Sequence, residues 1–463
     1  MFSRRQFAVG GLASIAFAGL ARRALAAPGQ DPGFEVPGYG SLVPDPGGLL
    51  DLPEGFTYRI MSQAGETMDD GFRVPDYFDG MGCIPVDRMR VALVRNHELA
   101  PGDTALGPAG DDAKLQQRLR ARPHFAVGED GRVLPGGTTT ILYDLGSGRK
   151  EREYLSLAGT AINCAGGTTP WGSWLSCEEV AENKVDGPVG RNHGWIFEVS
   201  ARQRGLTRPR PLKALGRFRH EAAVVDPRTG IVYMTEDQDD GLFYRFLPDG
   251  PRRLSEGGRL QALGLRDFPE GADARNWNGK VIENGGSRQA VWIDLDGPDN
   301  PHGDLRMRGH KAGAALFARG EGIHNGTGEL YFTATSGGTA QIGQIFRYVP
   351  SPQEGQPGER DAPGRLQLFV ESDDTARFNY VDNITVTPWG HLIACEDRSD
   401  DGDTNHLKGF TSDGRVYTLA ALRAPTELAG ACFSPDKSTL FVNVYAPGRT
   451  LAITGPWSSV RVG

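Results

Sequence analysis

A cysteine and a set of acidic residues recur where short apolar runs give way to polar residues. Cys164 and Glu221 occupy the first position of a repeated pattern, and Glu179 and Glu236 occupy its closing position, 15 residues later in both copies. Carboxylates that converge on one site repel one another strongly in a low dielectric, and bound cations are the simplest remedy. Oxygen donors suit Ca²⁺, whereas a thiolate calls for a softer transition metal such as iron or zinc. The pattern therefore predicts a mixed metal site.

Further copies of the pattern extend the set of candidate metal ligands. Either Asp382 or Asn383 fills the first position of one copy, and Glu427 fills that of the last copy. An isolated Glu-Asp pair at a strand end is commonly a solvated turn, but several copies in register favour metal binding. The predicted ligands are Glu98, Cys164, Glu179, Glu221, Glu236, Glu321, Asp382, Asn383, Glu396 and Asp397.

Short hairpins must position these residues. The chain contains 64 Gly and 31 Pro, which punctuate turns and argue against long helices. Six similar hairpins predict an all-β fold, a six-bladed β-propeller with inserted loops, whose inner strands converge on a central channel. The hairpins cover residues 83–98, 164–179, 221–237, 321–338, 382–397 and 427–443. We expect one or two short helices, one of them at 111–120. A pair of β-sandwiches would not explain the recurrent polar residues.

Composition and charge exclude several classes of protein. The 463 residues include 50 Lys plus Arg and 58 Asp plus Glu, giving a formal net charge of −8, which argues against a nucleic-acid partner. The five cysteines are odd in number and show no CxxC spacing. No P-loop, GxSxG or HExxH motif is present, so kinases of the P-loop type, α/β-hydrolases and zincins lose support.

The N-terminus has the pattern of an export signal. Arg4 and Arg5 form a twin-arginine motif, followed by an apolar stretch and a small-residue cleavage site at Ala24–Ala26. We expect residues 1–26 to be a signal peptide recognised by the twin-arginine translocase, and residues 27–463 to form a single domain. The expected product is periplasmic or secreted, monomeric, and without a permanent membrane anchor.

Several blocks of the chain resemble one known family. The segment from Asn163 to Glu179, centred on Cys164, is similar to the signature of the PhoX-type alkaline phosphatases. Later blocks of the chain are also similar to that family, and the resemblance extends over nearly the whole chain after the leader. These blocks are 217–223, 233–237, 319–322, 382–384 and 434–457.

The resemblance implies a function and a role for individual residues. The family is a six-bladed propeller with a central iron–calcium cluster that hydrolyses phosphate monoesters, so the implied cofactors are Fe³⁺ and Ca²⁺. It implies that the Cys164 thiolate binds iron and that Glu221 and Glu321 bind or bridge metals. Glu179 and one of Asp382 or Asn383 would complete the ligand shell.

The resemblance also implies that Arg319 binds the phosphate oxygens. Arg319 and Glu321 are therefore the predicted catalytic residues. An ion pair that merely orients Glu321 is an equally good interpretation of Arg319. Two other functions stay open: a calcium-dependent propeller hydrolase of lactones or organophosphates, which would leave Cys164 inert, and a non-catalytic propeller that binds a partner.

Overall fold

A computed structural model describes residues 35–181, 190–250, 252–398 and 404–462. The predicted twin-arginine leader lies outside the described residues. Within them the regular secondary structure is almost entirely β, with two short α-helices, α1 (Ala113–Arg120) and α2 (Leu305–Lys311). The Asp112 side chain caps α1 by accepting hydrogen bonds from the backbone N–H groups of Lys114 and Leu115. The all-β prediction and the expectation of few, short helices are therefore confirmed.

Twenty-six strands make up the described β-structure. In chain order they are β1 (Leu42–Val43), β2 (Leu50–Pro53), β3 (Thr57–Gln63), β4 (Phe78–Pro85), β5 (Arg90–His97), β6 (Gly136–Asp144), β7 (Arg149–Thr160), β8 (Asn163–Thr168), β9 (Ser173–Glu178), β10 (Ile196–Ser200), β11 (His220–Val225), β12 (Val232–Glu236), β13 (Phe243–Pro248), β14 (Gly258–Leu265), β15 (Ser287–Asp294), β16 (Gly320–Asn325), β17 (Leu330–Ala334), β18 (Gln344–Val349), β19 (Arg365–Glu371), β20 (Val381–Val386), β21 (Leu392–Glu396), β22 (His406–Phe410), β23 (Val416–Leu422), β24 (Leu428–Phe433), β25 (Thr439–Val444) and β26 (Arg449–Thr454). Single 3₁₀ turns lie at Thr104–Leu106, Lys213–Leu215, Pro357–Arg360 and Trp457–Ser459.

The strands pair antiparallel in a propeller-like arrangement of five sheets. Two four-stranded sheets have the orders β4-β5-β6-β7 and β24-β25-β26-β3, and a three-stranded sheet has the order β10-β9-β8. A six-stranded sheet runs β1-β2-β23-β22-β21-β20, and β15 joins β11–β14 to β16–β19 in one nine-stranded sheet. Strand β3, from the N-terminal part of the chain, completes the sheet of the last three strands. None of the helices in the described ranges is long and apolar enough to cross a membrane.

Six strands, which we call the inner strands, surround the middle of the molecule. Strands β4, β8, β11, β16, β20 and β24 each contact the next in that order, and β24 contacts β4. Apolar side chains pack behind them, as where the rings of Phe243 on β13 and Phe332 on β17, from the two halves of the nine-stranded sheet, stack with their centroids 4.3 Å apart. The packed layers fix the separation of the inner strands, and therefore the positions of the residues that these strands carry.

Each inner strand contains the same irregularity near its start. In β4 the paired residues Phe78 and Met81 flank two residues that have no partner on β5, which is a β-bulge. Strands β8, β11, β16 and β20 have the bulge at the same place, and β24 has it one residue later. A bulge changes the direction in which side chains point, and here it affects the first residue after the strand start.

Candidate metal centre

Three recurring positions build the site, and a backbone hydrogen bond defines all three. The residue that follows each second strand donates its N–H to a carbonyl just before an inner strand, as Glu98 does to Tyr77 and Glu179 to Ile162. We call the donor the closing position and the acceptor the mouth position. The residue two places after the mouth position is the inner position. The six bonds that define these positions are Glu98 to Tyr77, Glu179 to Ile162, Asp237 to Arg219, Thr335 to Arg319, Asp397 to Tyr380 and Tyr445 to Glu427.

The inner positions carry most of the candidate metal ligands. All six are buried, and five of them lie in the bulges, so that a thiol and four carboxylates are gathered around one axis. The mouth positions, in contrast, are only half-buried. The inner positions are Asp79, Cys164, Glu221, Glu321, Asp382 and Ala429.

The acids and the thiol form one continuous series. Four overlapping groups have ligand atoms that lie within 4.8 Å of one another. Cys164 is shared by the first two groups, Glu221 by the second and third, and Asp382 by the third and fourth. The groups are Asp79–Glu98–Cys164, Cys164–Glu179–Glu221, Glu221–Glu321–Asp382 and Asp382–Asp397–Glu427.

Burial and mutual repulsion raise the pKa values of these groups. Burial raises the pKa of Glu98 to about 7 and that of Asp382 to about 7, and the Asp397 carboxylate adds to both effects. Burial, together with neighbouring carboxylates, also raises the pKa of the Cys164 thiol. The same causes raise the pKa of Asp79, Glu179, Glu221, Glu321 and Glu427. The protein alone therefore does not keep these acids ionised near neutral pH, and nearby cations would.

Glu221 is the group whose surroundings are least compatible with an empty site. Its side chain is fully buried, and neither carboxylate oxygen has a hydrogen-bond partner among the described residues. A buried carboxylate without partners carries the full cost of its desolvation. The donor set fits metal ions, because oxygen ligands suit calcium and a thiolate suits iron.

Two arginines stand at neighbouring mouth positions. Arg319, whose φ is +52°, donates from Nε to Asp237 at 2.8 Å and from an Nη to Glu321 at 2.8 Å. Arg219 donates from an Nη to Glu179 at 2.6 Å and lies 3.7 Å from Asp237. Burial acts to raise the pKa of Asp237, but hydrogen bonds from Glu179 and Arg319 outweigh it and lower that pKa. Asp237 thus lies between two guanidinium groups that are about 40% exposed.

Three predicted ligands point away from these groups. Glu236 accepts hydrogen bonds from the Tyr244 hydroxyl at 2.6 Å and from the Leu242 N–H. Glu396 accepts from the N–H of Asn379 and lies 2.7 Å from Nδ1 of His406.

Asn383 is the third. Its Nδ2 donates to Asp382 at 3.0 Å, and its Oδ1 accepts from the Gly430 N–H at 2.7 Å. Of the alternatives left open by the sequence, Asp382 lies in two of the acidic groups, whereas the amide oxygen of Asn383 is already engaged by the Gly430 N–H.

The expected spacing of 15 residues between the first and the closing position is wrong for the unit that begins with Glu221. Glu236 pairs with His220, which makes it equivalent to Glu178 and leaves Asp237 at the closing position. The loop 226–231 between paired strands is one residue longer than the loop 169–173, and this shifts the register by one.

The sequence analysis missed Asp79 and assigned Glu427 to the wrong position of its unit. The unit that begins with Asp79 contains a longer hairpin, and its acid precedes the apolar run at Cys83 from which the hairpin was defined. The Asp79-Gly80 pair matches Glu321-Gly322, which is a signal that could have found it. Glu427 lies at a mouth position, and Ala429 occupies the inner position that the sequence pattern had given to Glu427.

Comparison with known proteins identifies the family of the chain. The model of the family described as alkaline phosphatase PhoX matches residues 37–130 and 107–448, which is most of the sequence.

The chain belongs to the PhoX alkaline phosphatase family.

One solved structure of the family agrees with this membership at the level of the fold, and a second solved protein shows a weaker similarity. PhoX of Pseudomonas fluorescens, solved in complex with vanadate as a transition-state analogue, is 18% identical with a TM-score of 0.63, covering 93% of this chain and 98% of that one. The gluconolactonase XC5397 of Xanthomonas campestris is 14% identical with a TM-score of 0.43, covering 91% and 99%. Among curated proteins no match was found. The PhoX family membership supports a phosphatase, a hydrolase that acts on small phosphate substrates.

Proposed function

We propose that this protein is an exported phosphatase that hydrolyses phosphate monoesters at an iron–calcium cluster in the channel of a six-bladed propeller. The observation that carries the proposal is the continuous series of buried acids around Cys164, within which Glu221 has two buried oxygens and no protein partner in the described chain. Membership of the PhoX family supplies the reaction class.

The six inner strands and their repeated bulges support the six-bladed assignment. Each inner strand opens one antiparallel unit, and each unit places a residue at the mouth, inner and closing positions. Strand β15 pairs with both β14 and β19, so two units merge into one nine-stranded sheet. We assign β15 as a link between the third and fourth blades.

The residues suited to hold the metals follow from donor chemistry. Cys164 would hold iron, because thiolates prefer softer metals, with Glu179 and Glu221 beside it. Glu321, Asp382, Asp397 and Glu427 would hold calcium through their oxygens. When bound, such ions neutralise phosphoryl oxygens and lower the pKa of a water molecule.

The protein's own groups orient the substrate. Arg319 reaches the mouth with a partly exposed guanidinium that is already fixed by Asp237 and Glu321. A fixed guanidinium can donate two parallel hydrogen bonds to a phosphoryl group, which lysine cannot do. The same contact holds Glu321 in place, so both interpretations of Arg319 describe parts of one arrangement. Burial of the inner acids keeps bulk water away from the reacting atoms.

Export through the twin-arginine translocase completes the proposal. This route carries folded proteins, which suits a chain that must acquire its metals before it reaches the periplasm. We propose a periplasmic or secreted monomer without a permanent membrane anchor.

Metal analysis and one substitution test the proposed function. The purified protein should contain iron and calcium, absorb visible light through iron–thiolate bonding and hydrolyse phosphate monoesters. Cys164→Ser should lose iron, visible absorption and most activity. Cys177→Ala is the matched control, because this buried cysteine is outside the metal-binding groups that the described residues form.

The outcomes separate the alternatives. Full iron and full turnover in Cys164→Ser would refute the role of the thiolate. Calcium as the sole metal, with lactone or organophosphate hydrolysis, would favour the calcium-dependent propeller hydrolase. Absence of bound metal after purification with iron and calcium would favour a non-catalytic binding protein.

A further inference from the structure

The two sides of the channel mouth differ in chemistry. Arg219 and Arg319 precede β11 and β16, which are neighbours among the inner strands. In the closed order of six inner strands, β4 lies opposite β16. The mouth residue that precedes β4 is Tyr77, which therefore lies on the opposite side of the ring of inner strands from Arg319.

Tyr77 is part of a stacked aromatic pair. Its ring lies parallel to that of Tyr445, with centroids 5.0 Å apart and an angle of 16° between the planes. Tyr445 occupies the closing position beside β4, and its side chain hydrogen-bonds to Glu98. Both rings are half-buried, so part of the pair remains open at the mouth.

The backbone of Tyr77 is held in a conformation that bulky residues rarely adopt. Its φ is +49°, and its carbonyl accepts the hydrogen bond from Glu98 that defines the mouth position. Ile162, Arg319 and Tyr380 at other mouth positions have a similar positive φ, so this conformation belongs to the entry of the chain into the inner strands and fixes the direction in which the Tyr77 side chain leaves the backbone.

The tyrosine pair and the two arginines offer different contacts to a substrate. The partly exposed guanidinium groups of Arg219 and Arg319 can donate hydrogen bonds to a phosphoryl group, whereas the Tyr77 and Tyr445 rings offer an aromatic surface without positive charge. A phosphate ester bound across the mouth would therefore place its phosphoryl end near the arginines and its leaving group near Tyr77.

We propose that the Tyr77–Tyr445 pair is a subsite for a neutral, planar aromatic ring in the leaving group of the substrate. The inference rests on the proposed phosphatase function and names its preferred substrate class, which is the phosphate monoesters of aromatic alcohols or nucleosides. Aromatic rings stack on one another in offset-parallel or edge-on geometry, and one such contact changes affinity by about three- to tenfold.

Matched esters and matched tyrosine variants test the subsite. The ratio of kcat/KM for phenyl phosphate to that for cyclohexyl phosphate cancels effects on the reaction centre when each variant is compared with the wild type. Tyr77→Leu should lower this ratio by about three- to tenfold, and Tyr77→Phe should preserve it. Tyr380→Leu is the control, because Tyr380 has the same φ of +49° and the same mouth register.

An unchanged ratio in Tyr77→Leu, or an equal fall in Tyr380→Leu, would overturn the proposal. A second pair of esters, 5′-AMP and ribose 5-phosphate, separates nucleosides from simple aryl groups as the source of the ring.

Titration calorimetry keeps this test independent of turnover. Phenylphosphonate should bind the metal-loaded protein more tightly than cyclohexylphosphonate, and Tyr77→Leu should remove the difference. If neither phosphate ester is hydrolysed, the proposed function fails, and the two phosphonates still decide whether the aromatic subsite exists. Equal binding of the two phosphonates by the wild type would refute the subsite alone.

Discussion

Glu221 links the structure most directly to bound cations. Its neighbours Cys164, Glu321 and Asp382 carry negative charge when ionised, and its own oxygens have no partner within the described chain. Without cations, burial and these neighbours favour the protonated acid, which is why its pKa is raised. With cations, the same carboxylate becomes a ligand.

The effect of Glu221→Gln should therefore depend on the metals. In the chelated protein the amide replaces an acid that burial and its neighbours favour in the neutral form, so the free energy of unfolding should stay nearly the same. In the metal-loaded protein the same change should lower stability and phosphatase activity. Urea unfolding with and without chelator measures both effects.

Glu236→Gln provides the contrast. Glu236 is also a buried acid, but its partners are Tyr244 and Leu242, and its pKa is raised to about 7 mainly by burial. We expect its substitution to have the same effect with and without metals. If Glu221→Gln destabilised the chelated and loaded proteins equally, Glu221 would not be a metal ligand.

Arg319→Lys tests the contact with the phosphoryl group. Lysine keeps the positive charge but cannot reproduce the two directed hydrogen bonds, so kcat/KM should fall on the order of 10²–10³. Inhibition by orthovanadate should weaken in parallel, while iron and calcium contents stay unchanged. Loss of metal without weaker vanadate binding would show that Arg319 only orients Glu321.

At the scale of elements, the β-bulge is the device that brings the acids together. Four acids and Cys164 follow the first paired residue of their strands, and the unpaired stretch lets the inner strands approach closely. A Cβ atom on Gly80 would lie 2.5 Å from the Cα of Ala165, and one on Gly322 would lie 2.7 Å from the N of Ile384. These glycines therefore set the distance between neighbouring inner strands.

Gly322→Ala should disturb the site through its backbone. The added methyl group must push β16 from β20, which should destabilise the protein by about 1–3 kcal/mol and lower activity by separating Glu321 from Asp382. Gly102→Ala is the matched control, because a Cβ there meets nothing within 4 Å and its φ is not positive. Thermal unfolding and kcat measure the two effects. Wild-type behaviour of Gly322→Ala would show that β16 and β20 can separate without cost to the site.

The hairpins were predictable from the sequence because each combines an apolar run, a turn of Gly, Pro or Asp, and a second run. The exact register was not, because a single extra residue in the loop 226–231 moves Asp237 into the place expected of Glu236. Bulges add a further shift that no local pattern reveals. Strand periodicity alone therefore locates the acidic ends of strands to within a residue or two.

At the scale of the molecule, calcium should be needed for both activity and stability. Chelation with EGTA should inactivate the enzyme and lower its Tm, and added Ca²⁺ should restore both, because ligands that bind only the folded state stabilise it by mass action. Indifference to EGTA, with calcium shown to be gone, would mean that the acids are not calcium ligands.

Chelation should also make stability depend on pH in a defined direction. The pKa of Glu98 and that of Asp382 are raised to about 7, so between about pH 4 and 7 the folded state binds more protons than the unfolded state. The free energy of unfolding of the chelated protein should therefore fall as pH rises through 6.5, by less than about 1 kcal/mol per pH unit for each such acid because about half of it is already ionised at pH 7, and the fall should level off by pH 8.

Buried histidines act in the opposite sense at lower pH. Burial lowers the pKa of His220 to about 3, so this residue destabilises the fold only as pH falls below its unfolded value of about 6.5. The window from pH 6.5 to 8 thus isolates the acids.

Denaturant unfolding across this window should show a steeper dependence of the free energy of unfolding on pH in the chelated than in the metal-loaded protein. The dependence should be shallower in chelated Glu98→Gln. Equal slopes would contradict the electrostatic account.

The sequence by itself determined the all-β class, the short helices and the family, and it supplied Cys164, Glu179, Glu221, Glu321 and Asp382 as candidate metal ligands. These are local properties, because apolar alternation, turn residues and residue type are all readable along the chain. Only the tertiary structure decided that Asp79 joins the series, that Asp237 lies between Arg219 and Arg319, and that Tyr77 and Arg319 precede opposite inner strands. The reason is that closure of the inner strands around one axis brings together residues far apart in sequence, and bulges and loop lengths then set which side chain points inward.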